Sequence, residues 1–175
     1  MRVLRLCSVY EVPPKALTRA QGFDAIGGMQ VHTARLTSAL DALGVEQTVI
    51  TAYRPGAPRV ERVGVRSKVV RVGAPLRHFR QLYGLASVPR IREPKELDVV
   101  HVHLGEDLSI LPLARWAASR TGSPLVVTLH CSLRHTLQGH DLRSTILRTV
   151  GGPSQSWLLR GASAVLVLTE PWPSC

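Results

Sequence analysis

Short apolar runs alternating with helical stretches of about a dozen residues predict an α/β fold, a parallel sheet with helices on both faces. Two observations carry that prediction. The runs "DVVHVH" (98–103), "LVVTL" (125–129) and "AVLVL" (164–168) are too short for helices and have the unbroken apolar character of buried strands. Between the strands lie amphipathic segments, of which Met29 to Leu43 is the clearest. The chain has 175 residues and 45% apolar content, which suits one soluble globular domain.

In order along the chain, Met1 to Tyr10 reads as a first buried strand, and Val12 to Asp24 as a loop broken by Pro13-Pro14 and Gly22. In the helix over 29–43, Met29, Leu36, Leu40 and Leu43 share a stripe, with Arg35 and Asp41 off it and Gly44 as the stop. Glu46 to Ala52 is the second strand, "YRPGAPR" a turn, and Gly64 to Val72 an outer strand. Leu76 to Ser87 reads as an arginine-rich amphipathic helix, and "VPRIREPKEL" as a linker. Asp98 to His103 is a strand, Leu108 to Arg120 a helix and Leu125 to Leu129 a strand. Thr136 to Leu159 is helical with an interruption at "GGPS", and Ala164 to Leu168 is the last strand. There is no internal repeat.

Composition excludes several classes. No apolar run approaches the roughly 18 residues of a membrane-spanning helix. The start reads as a strand and not as a secretion signal, since Arg5 interrupts it and Glu11 follows soon after. Three scattered cysteines do not make a disulfide framework, and a reducing cytoplasm is the expected setting. The net charge is +10, and 19 of the 22 basic residues are arginine, a skew that a GC-rich genome produces by itself. Ten basic residues and one acid, Glu61, lie between Arg54 and Arg92. That block would attract phosphate or an anionic surface. It lacks interleaved aromatics and any nucleic-acid motif, so no nucleic-acid partner is expected. Its helix suits a solvated face better than a membrane surface.

A parallel sheet of this kind binds ligands beyond the C-terminal ends of its strands, so the loops there hold the candidates. The first is Gly27-Gly28, which opens the helix over 29–43. A glycine pair at a helix N-terminus suits a phosphate or sugar oxygen, and equally suits a turn that needs positive φ. Glu106 and Asp107 follow "DVVHVH"; they are placed to hold a cationic substrate, to serve as a general base or to stabilise the next helix's first turn. His130, Ser132 and His135 follow "LVVTL". His130 is the catalytic candidate: it can donate to a sugar hydroxyl or stabilise negative charge developing on a leaving group, or simply cap backbone carbonyls. His101 and His103 alternate with valines and share one strand face. With His130 or His135 they suggest zinc, but the spacing of a metallo-hydrolase is absent and no metal is expected.

The segments "GGMQVHTARLTSALDALGVEQTVIT", "DVVHVH", "PLVVTLHCS" and "GASAVLVLTE" together resemble the N-terminal domain of family 4 glycosyltransferases of the GT-B fold. "TLHCS" and the block lengths look closest to the actinobacterial enzymes that glycosylate 2-deoxystreptamine in aminoglycoside antibiotic synthesis. The resemblance implies a Rossmann-like, acceptor-side half that faces a second such half across a cleft. It implies sugar transfer from a nucleotide-diphosphate donor to a small hydroxylated acceptor, usually with retention and without a metal or other cofactor. It places Gly27 and Gly28 near the donor's diphosphate and His130 against the transferred sugar. An aminocyclitol acceptor is cationic, which makes Glu106 and Asp107 candidate acceptor contacts beside His103 and Ser132.

The family's second domain carries a basic residue for the diphosphate and a Glu-x7-Glu motif, and these 175 residues contain neither. Residues 1–170 are therefore expected to form the N-terminal domain and 171–175 an irregular tail, since "PWP" cannot continue a helix. Such a chain is expected to show little transfer alone, its donor-binding half missing or supplied by a separate chain. The rival readings are a non-catalytic sugar- or phosphate-binding module, and a basic nucleic-acid or membrane-surface binder.

Overall fold

The computed structural model describes residues 1–11, 28–74, 83–105, 107, 109–130 and 142–167. Seven strands form one sheet in the order β3-β4-β2-β1-β5-β6-β7. They are β1 (Arg2–Cys7), β2 (Glu46–Ala52), β3 (Val60–Val63), β4 (Ser67–Val72), β5 (Val99–Leu104), β6 (Leu125–Leu129) and β7 (Ala164–Val167). All neighbours pair parallel except β3, which lies antiparallel to β4 at one edge. The helices are α1 (Gly28–Ala42), α2 (Tyr83–Arg92), α3 (Ile110–Thr121) and α4 (Leu142–Arg160). Among the described residues no helix is long and apolar enough to cross a membrane.

The two faces of the sheet differ in chemistry. Leu4, Leu6, Ile50, Val70, Val100, Val102, Leu125 and Val127 form one face. They pack against Tyr83 and Ile91 of α2, Ile110, Leu111, Ala114 and Ala117 of α3, and Leu158 of α4. This is the main hydrophobic core. Because strand side chains alternate, the residues between them point the other way, toward α1. That second face has a small apolar patch of Cys7, Val49 and Val69 with Tyr10. Around the patch are buried polar groups: Arg5, Gln47, Thr51, Ser67, Arg71, His101, His103 and Thr128.

Four element expectations need correction. First, α1 does not bury the Met29–Leu36–Leu40–Leu43 stripe. Its buried residues are Gln30, Thr33 and Thr37, and Leu43 is 78% exposed. The helix turns a polar face inward because the sheet beneath it is polar. Secondly, the expected strand over 64–72 begins only at Ser67, as β4; residues 64–66 are a turn, and a further strand, β3, precedes it. Gly64 adopts φ +68°, and the Asp41 carboxylate accepts from Val65 N (3.0 Å) and Arg66 N (2.8 Å), closing a β3–β4 hairpin. Thirdly, part of the proposed linker is helix: α2 runs to Arg92 through Pro89. Fourthly, α4 continues through "GGPS", with Pro153 inside it. A proline removes one helical hydrogen bond. Here Ile91 and Leu158, both fully buried beyond their prolines, tie the following turn to the core.

The expected C-terminal stop of α1 is present, with Gly44 at φ +78° and Val45 N donating to Leu40 O at 3.0 Å. Coverage of the sheet ends before β7, whose four residues are all exposed. The expected loop over 12–24, the first part of the expected helix over 76–87 and the 171–175 tail lie outside the described residues.

Candidate functional site

The polar face of the sheet culminates at the C-terminal ends of β1, β5 and β6, where α1 begins. His130 directly follows β6, and its backbone N–H donates to Leu104 O at 2.9 Å, extending the β5–β6 pairing by one step. That bond seats the imidazole at the rim, half-buried. His32, one turn into α1, stacks edge-on against it with ring centroids 5.0 Å apart. His103 lies beneath, 5.3 Å from His130 between centroids, and His101 lies 4.4 Å from His103. Four of the chain's seven histidines thus gather on one face.

Below them sits Arg5, wholly buried in β1. One of its terminal nitrogens donates to Thr37 Oγ1 (2.6 Å), Gln47 Oε1 (3.2 Å) and Thr33 O (3.4 Å). The other lies 2.7 Å from His103 Nε2. Gln47 is itself held by donating to Thr37 O (2.9 Å) and Ser67 Oγ (2.8 Å). These partners are all uncharged. His103 continues the chain, its Nδ1 lying 3.0 Å from His130 Nε2. His101 Nε2 lies 2.8 Å from Thr128 Oγ1.

The electrostatics follow from burial beside a cation. Desolvation, with Arg5, His32 and His130 nearby, pushes His101 down to about 3. Desolvation, then His32 and Arg5, pushes His130 down to about 4. His103 is pushed lower than either, first by burial and then by His101 and Arg5. All three rings are neutral at pH 7. Cys7 is likewise held protonated, burial raising its thiol to about 11. At this rim the face therefore offers neutral histidine rings over the buried guanidinium of Arg5.

The candidates from sequence fall into three groups. Gly28 and His130 are brought together: Gly28 starts α1, and His32, four residues on, touches the His130 ring. Gly28 does not have positive φ, so the turn that would demand it is not present at this residue. A side chain there would meet open space. His103 is buried. It is 1% exposed and lies under His130, which is at odds with the expected direct acceptor contact. Asp107 is also buried, and its Oδ1 accepts from both Ser109 N and Ser109 Oγ at 2.9 Å, just before α3. This is the helix-start role, an Asx-type turn. Gly27, Glu106, Ser132 and His135 lie outside the described residues.

Sequence reasoning missed Arg5, His32 and Gly105. Arg5 was visible as a lone charge within "VLRLC", and Thr33 and Thr37 recur at helical spacing in register with His32's turn. Gly105 follows β5, and a Cβ there would come within 3.2 Å of Met29 Sδ. Its lack of a side chain lets the exit of β5 pass close under the first turn of α1.

His32, His103 and His130 also form a potential metal set, with one ring nitrogen from each within 4.8 Å of the others. A cavity of about 460 Å³ occurs at the opposite, N-terminal rim, between Arg2, Glu46, Lys68, Arg90 and Lys95. It touches no candidate residue, and open parallel sheets bind at the other end.

A family model described as a glycosyl transferase 4-like domain matches residues 27–173. A 2-deoxystreptamine N-acetyl-D-glucosaminyltransferase of Streptomyces fradiae is 34% identical over 97% of this chain and 43% of its own length. A 2-deoxystreptamine glucosyltransferase of Streptomyces kanamyceticus is 32% identical over 81% of this chain and 40% of its own. The chain spans about two fifths of these relatives. Among solved structures, sucrose-phosphate synthase of Thermosynechococcus elongatus shares the fold at TM-score 0.67 and 15% identity, over 94% of this chain and 42% of that one.

Proposed function

The chain belongs to the glycosyl transferase 4-like domain family, and we propose that it forms the acceptor-side half of a transferase that glycosylates an aminocyclitol of the 2-deoxystreptamine type. The donor is a nucleotide-diphosphate sugar. The observation that carries this reading is the meeting of the α1 N-terminus and His130 at one rim of the sheet. The helix end supplies backbone N–H groups and partial positive charge for a phosphate or sugar oxygen. His130 supplies a neutral donor for a sugar hydroxyl. By resemblance Gly27 belongs with Gly28 at the diphosphate; Glu106 and Ser132 are the proposed acceptor contacts, the carboxylate because an aminocyclitol is cationic, and all three lie outside the described residues.

No metal takes part. His103 has both ring nitrogens engaged, one by Arg5 and one by His130, which leaves the three-histidine set a ligand short. The basic block is no argument for a nucleic-acid surface. Arg77 and Arg80 lie outside the described residues; of the other eight, Arg54 and Arg71 are buried, and Arg59 and Arg92 lie over Tyr53 and Trp116. Arg90 pairs with Glu93.

Calorimetric titration tests the reading with 2-deoxystreptamine and UDP-N-acetylglucosamine as probes. Saturable binding of one or both is expected, unchanged by EDTA and weakened at least about tenfold by His130→Ala, the scale of one lost hydrogen bond in a binding site. Sugar transfer by these 175 residues alone is not expected, because they match only about two fifths of the relatives. Absence of saturable binding of both probes rejects the reading.

A further inference from the structure

We propose that Arg5 and His103 are positioning residues that hold His130 in the tautomer protonated on Nδ1, so that it meets a ligand oxygen as a neutral hydrogen-bond donor. The proposal rests on His130 being the ligand-contacting group described above.

The constraint begins with the chemistry of arginine, which has five N–H donors and no acceptor. Arg5 lies 2.7 Å from His103 Nε2, so that nitrogen must accept and carries no proton. A neutral imidazole keeps one proton, and His103 therefore keeps it on Nδ1. That Nδ1–H points at His130 Nε2, 3.0 Å away, which must in turn accept. The proton of His130 is thereby placed on its own Nδ1, the nitrogen not engaged by His103. Turning the His103 ring over would set carbon against both neighbours and lose both bonds. With His103 1% exposed, water is not at hand to replace either of them.

The surroundings keep the relay neutral. Among the described residues, the groups facing His130 are His103 from β5, His32 from α1 and, one layer down, Arg5 from β1. None of these three is an anion, and a second proton on either ring would be buried beside the guanidinium. The same geometry opposes a metal among His32, His103 and His130. To ligate through Nδ1, His103 would have to move its proton to Nε2, directly against an Arg5 N–H.

The test is a long-range ¹H–¹⁵N correlation spectrum of the histidine rings in the whole labelled chain at pH 7, with signals assigned through His103→Gln and His130→Gln. Protonated Nδ1 and unprotonated Nε2 are expected for both rings. Arg5→Met is expected to mix the His103 tautomers and raise the titration midpoint of His130 by roughly one pH unit, the scale of one removed neighbouring charge. Arg5→Lys, which keeps a donor, is expected to retain the wild-type pattern. A wild-type spectrum with the proton on Nε2 of either ring overturns the proposal without any variant having to fold. Unchanged tautomers in folded Arg5→Met overturn it as well. If the ring pattern stands while His130→Ala binds both probes as well as wild type, the ligand-contact reading of His130 fails and the tautomer assignment survives.

Discussion

Arg5 is the residue on which the polar layer depends. A guanidinium removed from water is costly unless its donors are met; here neutral oxygens and one imidazole meet both terminal nitrogens, while the buried Nε–H has no partner among the described residues. Burial lowers its pKa without discharging it, since arginine stays protonated in proteins. Thr37 provides the shortest of these contacts, at 2.6 Å. Thr37→Val keeps the shape and removes the shortest contact of that nitrogen, leaving it only the longer ones to Gln47 Oε1 and Thr33 O. We expect a loss of about 1.5–3 kcal/mol in urea unfolding, with the m-value unchanged. A loss below a few tenths would mean that Thr37 contributes little to holding the charge. Before folding, Arg5 looked like an interruption in a strand; nothing in "VLRLC" says which residues will surround it.

At the scale of elements, the chain tolerates local penalties where tertiary contacts outweigh them. Helix α4 contains Gly151, Gly152 and Pro153, all poor helix residues. Pro153 is exposed, and a Cβ on Gly152 would meet nothing within 4 Å. Gly152→Ala is therefore expected to raise the unfolding free energy by about 1 kcal/mol, read as a higher urea midpoint. The opposite holds at Gly64. Its φ of +68° and the adjoining Asp41 carboxylate leave no room for a side chain. Gly64→Ala should lower stability by more than about 1 kcal/mol and disturb the β3–β4 hairpin, seen as faster amide exchange at Val65 and Arg66. Strand boundaries at β2 and β6 were legible because an apolar run bounded by polar residues leaves little choice. The α1 stripe was misread for a physical reason: periodicity marks which residues share a face, not which face meets the sheet.

For the whole molecule, the buried histidines tie stability to pH. His101 and His130 titrate at about 3 and about 4 in the native state, against 6.5 for the free side chain, and His103 lies lower still. Above the free value both folded and unfolded chains are neutral at these sites. As pH falls below it, the unfolded chain takes up protons that the native state refuses, so stability declines through the window from about 6.5 to 4. Each ring contributes at most about 1.4 kcal/mol per pH unit, and half-buried His130 less than the sealed pair. Urea midpoints at pH 7, 5.5 and 4.5 should fall in that order. A midpoint independent of pH across this range would mean that the histidines are not buried neutral.

The chain's own letters determined the α/β class, the parallel strands and the family, because alternation of short apolar runs with amphipathic helices admits few other arrangements. They also singled out His130 and a glycine at the start of α1. Which polar groups would lie inside was left to the fold. A helix of threonines and glutamine can pack inward only when Arg5 of β1, Gln47 of β2 and the two histidines of β5 form a polar layer in register, and such partnerships across 28 to 98 residues exist only once the sheet is assembled.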